Sequence, residues 1–332
     1  MLYRLILKIR NKSYDSGRRK SEKAKVPTIC VGNVTVGGTG KTPCVEMLLR
    51  LLQEEGISAA VLSRGYGRKT KGYLEVTPGS AASQTGDEPL QIKRAFPQVP
   101  VAVDKDRLEG CHKLCEDVHP DVIVLDDAFQ YRALKADLNI VLVSWVRPVH
   151  SDRLLPFGRL RDLPERLNQA DIIIVTKCPE GLYASDKTAF KKQMGLQRAN
   201  IPVLFSHLSY CDPEAVFEGA ERRYVYSTDA VLATGIANPA PLEEYVRSRW
   251  ALRGNIRFGD HHAFSQSDIA RIESMATANL SSVVLTTQKD AQRLKDAALS
   301  GMLRNRLFTV PVRMEFTDPQ DRATLLQALK QL

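Results

Sequence analysis

Short apolar runs recur along the first two-thirds of the chain, at 27–33, 58–63, 100–103, 121–126, 138–144, 171–176 and 202–206. Between several of them the pattern changes to a helical period, notably at 41–55, 87–96 and 104–117. Runs alternating with amphipathic segments predict an α/β fold, a mostly parallel sheet covered by helices on both faces. In such sheets ligands bind at the carboxyl ends of the strands. The loops that follow the apolar runs are therefore where chemistry is sought.

The periodicity lapses over CDPEAVFEGAER (211–222). Beyond it, RRYVYST (222–228) reads as a strand and VLATGIANP (231–239) opens a second, shorter α/β run to about 306. LFTVPVRMEF (307–316) reads as a further strand and 319–331 as a closing helix. The expected organisation is a basic segment over 1–25, a larger domain over 26–222 and a smaller α/β domain over 229–306. The end of the chain, 317–332, would pack back on the larger domain. Two extended segments bracketing 229–306 would form a two-stranded connection.

Composition adds little until its distribution is considered. The 332 residues are 43% hydrophobic and 26% charged, a soluble globular profile. Six cysteines without CxxC or metal-ligand spacing point to a reduced compartment. The net charge is +9, and residues 1–25 alone hold nine Lys/Arg against two Asp/Glu. There Leu2, Leu5, Ile6 and Ile9 fall at helical spacing among Arg4, Lys8, Arg10 and Lys12. No stretch approaches the ~20 apolar residues of a membrane span, and no signal-peptide cleavage pattern follows. Two readings remain: a basic amphipathic helix on an anionic membrane surface, or a basic arm packing Leu5 and Ile9 on the main domain. Nucleic acid is not the expected partner, because no interleaved aromatics or known binding module accompany the charge.

The first apolar run ends in VGNVTVGGTGKTP (31–43). Glycines there let successive backbone N–H groups face one anion, and the next helix adds its positive end. Lys41 would reach the outer phosphates of a nucleotide and the Thr42 hydroxyl a magnesium ion. Thr35 stands where the strict phosphate-loop pattern has its first glycine. VIVLDDAF (122–129) ends an apolar strand in Asp126 and Asp127, the arrangement that aims carboxylates at a phosphate-bound metal; a surface turn is the alternative. Arg64 in LSRGYGRK would neutralise a phosphate or serve as a turn arginine. Asp87 in TGDEP starts a helix, where an N-cap is the plain role. FGDHHAF (258–264) joins an acid to two adjacent histidines, of which at most one faces a shared site. Lys289 in TTQKD and Lys177 in VTKCPE would touch a base or ribose, or simply end strands.

Taken in order, VGNVTVGGTGKTP, LSRGYG, GDEP, LDDAFQY, LLPFGRLRDLPERL, ATGIANP, FGDHHAF and TTQKD resemble the tetraacyldisaccharide 4′-kinases, the lipid A 4′-kinases of Gram-negative bacteria. The resemblance implies ATP- and Mg2+-dependent phosphorylation of the 4′-hydroxyl of a tetraacyldisaccharide 1-phosphate. It implies a P-loop α/β domain joined by a two-stranded linker to a smaller α/β domain, a monomer working at the cytoplasmic face of the inner membrane. Carried over by position, ATP falls on Thr35, Val36, Gly37, Gly38, Thr39, Gly40, Lys41 and Thr42. The metal falls on Thr42, Asp126 and Asp127, and the catalytic pair on Asp87 and His261. Relatives usually start with a longer hydrophobic helix, so surface association is expected rather than insertion. Tyr131 replaces a histidine of the family pattern, and Asp162 a glutamate, a difference expected at a metal or water contact. The alternative is a P-loop GTPase or ATPase of the metal-chaperone or partition type. It would require an NKxD base-reading motif or a second loop lysine.

Overall fold

The computed structural model describes residues 2–198, 200–260 and 262–332. Fourteen strands among these residues form two sheets. The larger is ordered β14-β8-β7-β6-β1-β5-β2-β4-β3. It is built from β1 (Thr28–Asn33), β2 (Ala59–Ser63), β3 (Leu74–Glu75), β4 (Val101–Val103) and β5 (Val122–Asp126), with β6 (Leu138–Ser144), β7 (Ile172–Thr176), β8 (Val203–Tyr210) and β14 (Val312–Phe316). Only β3 and β14 run antiparallel to their neighbours. The smaller sheet is ordered β11-β10-β12-β13-β9, from β9 (Glu214–Ala215), β10 (Asp229–Thr234), β11 (Ala251–Arg257), β12 (Val283–Thr287) and β13 (Leu307–Val310). The helices are α1 (Leu2–Asp15), α2 (Lys41–Glu54), α3 (Ala82–Thr85), α4 (Asp87–Ala95), α5 (Arg107–Val118) and α6 (Ala184–Gln193), then α7 (Ala240–Arg249), α8 (Gln266–Ala278), α9 (Gln288–Lys295), α10 (Gly301–Arg306) and α11 (Pro319–Leu329).

The parallel strands read as unbroken apolar runs because both of their faces are covered. On one face Leu48, Leu49 and Leu52 of α2 pack with Ile29, Val124 and Ile140, and Leu325 and Leu329 of α11 join the same core. On the other, Leu114 and Cys111 of α5 pack with Leu62, Ile123 and Val141. Strand order reverses at β1, which lies between β5 and β6. That is the switch point where an α/β sheet opens a crevice. Five strands end there in buried polar residues, Asn33, Ser63, Asp126, Ser144 and Thr176.

Two expectations fail in instructive ways. Residues 222–226 form a single 3-10 turn instead of a strand. Tyr224 and Val225 pack there as a local cap on the cluster around Trp250. LFTVPVRMEF is two strands: Pro311 lacks the N–H a ladder needs, and the chain passes there from β13 in the small sheet to β14 in the large one. The antiparallel pair joining the sheets is β8 with β14, from Ser206↔Phe316 to Tyr210↔Val312.

The amino-terminal helix packs through residues other than the expected Leu5 and Ile9. Leu5 and Ile9 are 55% and 62% exposed, so they are not packed on the main domain. Leu7 and Asn11 make the buried face instead, with Asn11 donating to Asp162 Oδ1 at 3.1 Å. Tyr3 donates to the Arg161 carbonyl at 2.8 Å and Arg10 to the Gln130 carbonyl at 2.5 Å. The apolar stripe Leu2, Leu5, Ile6 and Ile9 faces outward. Among the described residues no helix is long and apolar enough to cross a membrane.

Candidate active site

Residues 35–42 leave β1 and enter α2 through two left-handed glycines, Gly37 at φ 96 and Gly40 at φ 90. A side chain would strain both positions. The loop is anchored from three sides. Asn33 donates to Thr39 Oγ1 (2.6 Å), Thr176 donates to the Thr39 carbonyl (2.8 Å) and the Val36 N–H bonds the Arg159 carbonyl (2.7 Å). Thr35 is buried and bridged to Leu160, which accounts for its taking the place of a glycine. Val36, Gly37 and Gly38 are exposed, while Lys41 and Thr42 form the half-buried first turn of α2.

The two aspartates at the end of β5 are in contrasting states. Asp126 is fully buried and accepts from Ser63 Oγ at 2.9 Å through Oδ2, while among the described residues Oδ1 has no partner. Burial pushes its pKa up to about 7, helped by the nearby charges of Glu88 and Asp127 and opposed by Lys41 and Ser63. Asp127, at φ 50, faces Arg161, whose Nη1 donates to Oδ2 at 3.0 Å while Nη2 contacts Oδ1. Lys41 Nζ stands 3.7 Å from the same Oδ1. Burial would raise Asp127, but the Arg161 hydrogen bond and the Lys41 charge outweigh it and hold the carboxyl below its usual range. Arg161 Nη2 also donates to Asn33 Oδ1 at 2.5 Å, so the phosphate loop, the aspartate pair and the 159–162 segment interlock.

Among the described residues no three His, Cys, Asp or Glu side chains form a metal cage. Magnesium does not need one, since it is held by one or two carboxylates plus phosphate oxygens and water. The orphaned Asp126 oxygen fits that role. Asp127 is occupied by its two cations.

The cost of Asp126 has a measurable sign. Its proton is retained in the folded state up to about pH 7 but lost near pH 3.8 when unfolded. Without ligands, this group's contribution to stability is therefore fully present below pH 3.8 and lost as the pH rises to about 7. Asp126→Asn removes that dependence. The variant should gain on the parent progressively between those limits, by at most about 4 kcal/mol at pH 8, while losing any stabilisation that added magnesium with ATP gives the parent. Denaturant midpoints at pH 4, 6 and 8 read both; a pH-independent difference would overturn the assignment.

Asp87 is the first residue of α4, and Gly86 holds the N-cap position at φ 93. Asp87 is thus not the cap, and a side chain at Gly86 would come within 2.9 Å of the Tyr66 carbonyl. The turn brings α4 against the loop after β2, where exposed Arg64 follows Ser63. Glu46 of α2 accepts from Gln91 of α4 at 2.9 Å, which ties the phosphate-loop helix to the helix that presents Asp87.

The far side of Asp87 is the small sheet. Lys289 bonds Glu88 at 3.0 Å, Arg94 donates to Gln292 at 2.5 Å and Arg293 stands 3.4 Å from Asp87. Lys289 is therefore an interdomain contact, and Asp290 is fully buried, accepting from the Gly235 N–H at 2.9 Å. ATGIANP, FGDHHAF and TTQKD thus meet at the carboxyl ends of β10, β11 and β12. Lys177, at φ 59, is half-buried after β7, next to the Thr176 that holds the phosphate loop. His261 lies outside the described residues. His262 is engaged with its own domain, bonding Asp268 at 2.9 Å and stacking on Phe258.

Two substituted positions prove structural. Asp162 is buried, accepting from Asn11, from the Leu163 N–H at 2.8 Å and from Arg166 at 3.4 Å, so it holds α1 against the main domain. Tyr131 donates to Asp106 at 2.8 Å. Arg161 is one residue to which the sequence alone assigned no role. Its signal is its place in LRDLPERL, whose contacts with the loops after β1 and β5 are long-range in sequence.

The family model for tetraacyldisaccharide-1-P 4′-kinase (LpxK) matches residues 1–331. The chain belongs to this family. It is 40% identical to the tetraacyldisaccharide 4′-kinase of Parabacteroides distasonis, over 99% of this chain and 91% of that one. Identity to the tetraacyldisaccharide 4′-kinase of Bacteroides thetaiotaomicron is 38%, over 96% and 88%. The LpxK of Aquifex aeolicus, solved in complex with ATP, superposes with a TM-score of 0.77 at 27% identity, covering 98% of this chain and 95% of its own. Membership makes the chain a kinase with an alcohol acceptor and an ATP-binding P-loop fold. The GTPase and metal-chaperone alternative falls with it.

Proposed function

We propose that the protein transfers the γ-phosphate of ATP to the 4′-hydroxyl of a tetraacyldisaccharide 1-phosphate. The observation that carries this reading, beyond family membership, is the placing of Asp87. It heads a helix tied to the phosphate-loop helix, close enough to the metal-type aspartate for Glu88 to raise the Asp126 pKa. The N–H groups of Gly37, Gly38, Gly40, Lys41 and Thr42 would cradle the phosphates, those of Val36 and Thr39 being bonded within the fold, and Lys41 would leave Asp127 for the outer oxygens. Arg161 then keeps Asp127 neutralised. Asp126 and Thr42 would hold magnesium, with Asp127 beside them as a second, ion-paired carboxylate. The ion when bound neutralises phosphate charge. Asp87 takes the proton of the attacking sugar hydroxyl, a poor nucleophile without a base, and His261 orients it. Closure of the small sheet over the crevice excludes water that would hydrolyse ATP. Transfer of label from γ-labelled ATP to a lipid A precursor tests this; ATP turnover indifferent to that acceptor would overturn it.

The lipid acceptor calls for a membrane, and the outward stripe of α1 supplies a docking face. We place the enzyme, as a monomer, peripherally on the cytoplasmic face of the inner membrane. Ile6 and Ile9 are 51% and 62% exposed, so Ile6→Glu with Ile9→Glu should leave thermal stability nearly unchanged. Burying each isoleucine is worth about 1.5–3 kcal/mol, so vesicle binding should fall by about tenfold or more per site. Co-sedimentation with anionic vesicles checks this, and undiminished binding would overturn the docking face.

A further inference from the structure

Arg293 lies where three segments meet, its side chain 10% exposed. Nη1 donates to the His262 carbonyl at 2.6 Å and Nη2 to the Asp290 carboxylate at 2.8 Å. Its guanidinium carbon is 5.9 Å from the centre of the Phe264 ring. Asp290 is itself fixed by the Thr287 hydroxyl at 2.7 Å and the Gly235 N–H at 2.9 Å. One planar group is thus clamped to the small sheet along one edge. From the remaining corner, Nε approaches Asp87 Oδ2 across the domain boundary at 3.4 Å. That separation is long for a charge-assisted hydrogen bond, and among the described residues Nε has no acceptor. Buried donors left unpaired are rare in folded proteins. A closure of a few tenths of an ångström would pair this one with Asp87.

We propose that Arg293 is a positioning residue for phosphoryl transfer. It ties the Asp87 carboxylate to the loop carrying residues 259–264, and its Nε–H···Oδ2 bond forms as the two sheets close on substrate. The inference rests on Asp87 as the base, and it adds the device that registers that base against the small sheet. The planar fork matters, because a lysine ammonium is a point charge that cannot hold the His262 carbonyl, Asp290 and Asp87 in fixed directions at once.

The test uses the full-length enzyme with ATP and a disaccharide 1-phosphate acceptor in detergent micelles. Arg293→Ala, Arg293→Lys, Asp87→Asn and the Asp87→Asn/Arg293→Ala pair are compared, with and without methylguanidinium. Arg293→Ala should lower kcat by about 10²-fold with KM for ATP changed by less than about threefold, because the lost contact matters when the base acts. Methylguanidinium should recover about tenfold of that loss, and nothing in either variant lacking Asp87. Arg293→Lys, which keeps the charge and the fold, should fall between parent and alanine. The double mutant should be no slower than Asp87→Asn. Losses that multiply, no rescue by methylguanidinium, or a kcat loss in both variants that follows their fall in Tm would overturn the positioning role. Near-parental turnover in Asp87→Asn would instead bring down the base assignment on which it stands.

Discussion

Lys41→Ala is expected to eliminate measurable transfer, a loss of about 10³-fold or more, on the scale of removing a preorganised donor to phosphate charge. The fold should survive. Among the described residues Lys41 makes one ion pair, 3.7 Å from Asp127, and Asp127 keeps both contacts to Arg161 when it is gone. The contact is long for an ion pair and Arg161 still neutralises Asp127 without it, so the ligand-free Tm should barely move. The stabilisation that ATP gives the parent should shrink, because the lysine is the loop's only side-chain cation. Initial rates with γ-labelled ATP, read beside Tm with and without nucleotide, decide the matter. Turnover within about tenfold of the parent would overturn the assignment of residues 35–42 to ATP phosphates.

Much of this site was legible because strands and phosphate loops are local. An apolar run ending in glycines predicts β1, the loop and α2 from neighbours alone, and VIVLD predicts β5 with its aspartates at the tip. Contacts between distant segments were not legible. Asp127 and Arg161 are far apart in sequence, and nothing in either segment says that their loops meet. Periodicity had the same limit in α1. It identified Leu2, Leu5, Ile6 and Ile9 as one face, but a stripe does not say what it faces. The domain is met by Leu7 and Asn11. At 307–316 the period was read correctly, but Pro311 was not read as a change of sheet. Arg293 escaped because a helical arginine looks like a solvated one until both sheets are in place around it.

Asp87→Asn keeps the shape of the side chain and its ability to accept from Arg293, but removes the proton acceptor. Its effect should therefore appear in turnover, by about 10²–10⁴-fold, with nucleotide binding preserved. Both Asp87 and Arg293 are nearly buried, at 11% and 10% exposed, so an alanine at 87 would confound chemistry with packing where asparagine does not. His261→Ala should lower turnover by less, as an orienting partner would. Groups acting as a unit give non-additive losses, so the Asp87→Asn/His261→Ala pair should resemble the worse single mutant. The neighbouring histidine is the internal control. His262 is committed to Asp268 and to the Phe258 ring, so His262→Ala should loosen the 258–264 loop and cost stability more than turnover. If the losses at Asp87 and His261 multiply, or if His262→Ala is the slower of the two histidine variants, the base is not oriented from position 261. The small sheet then reaches the base through Arg293 and by closing the crevice, not through position 261.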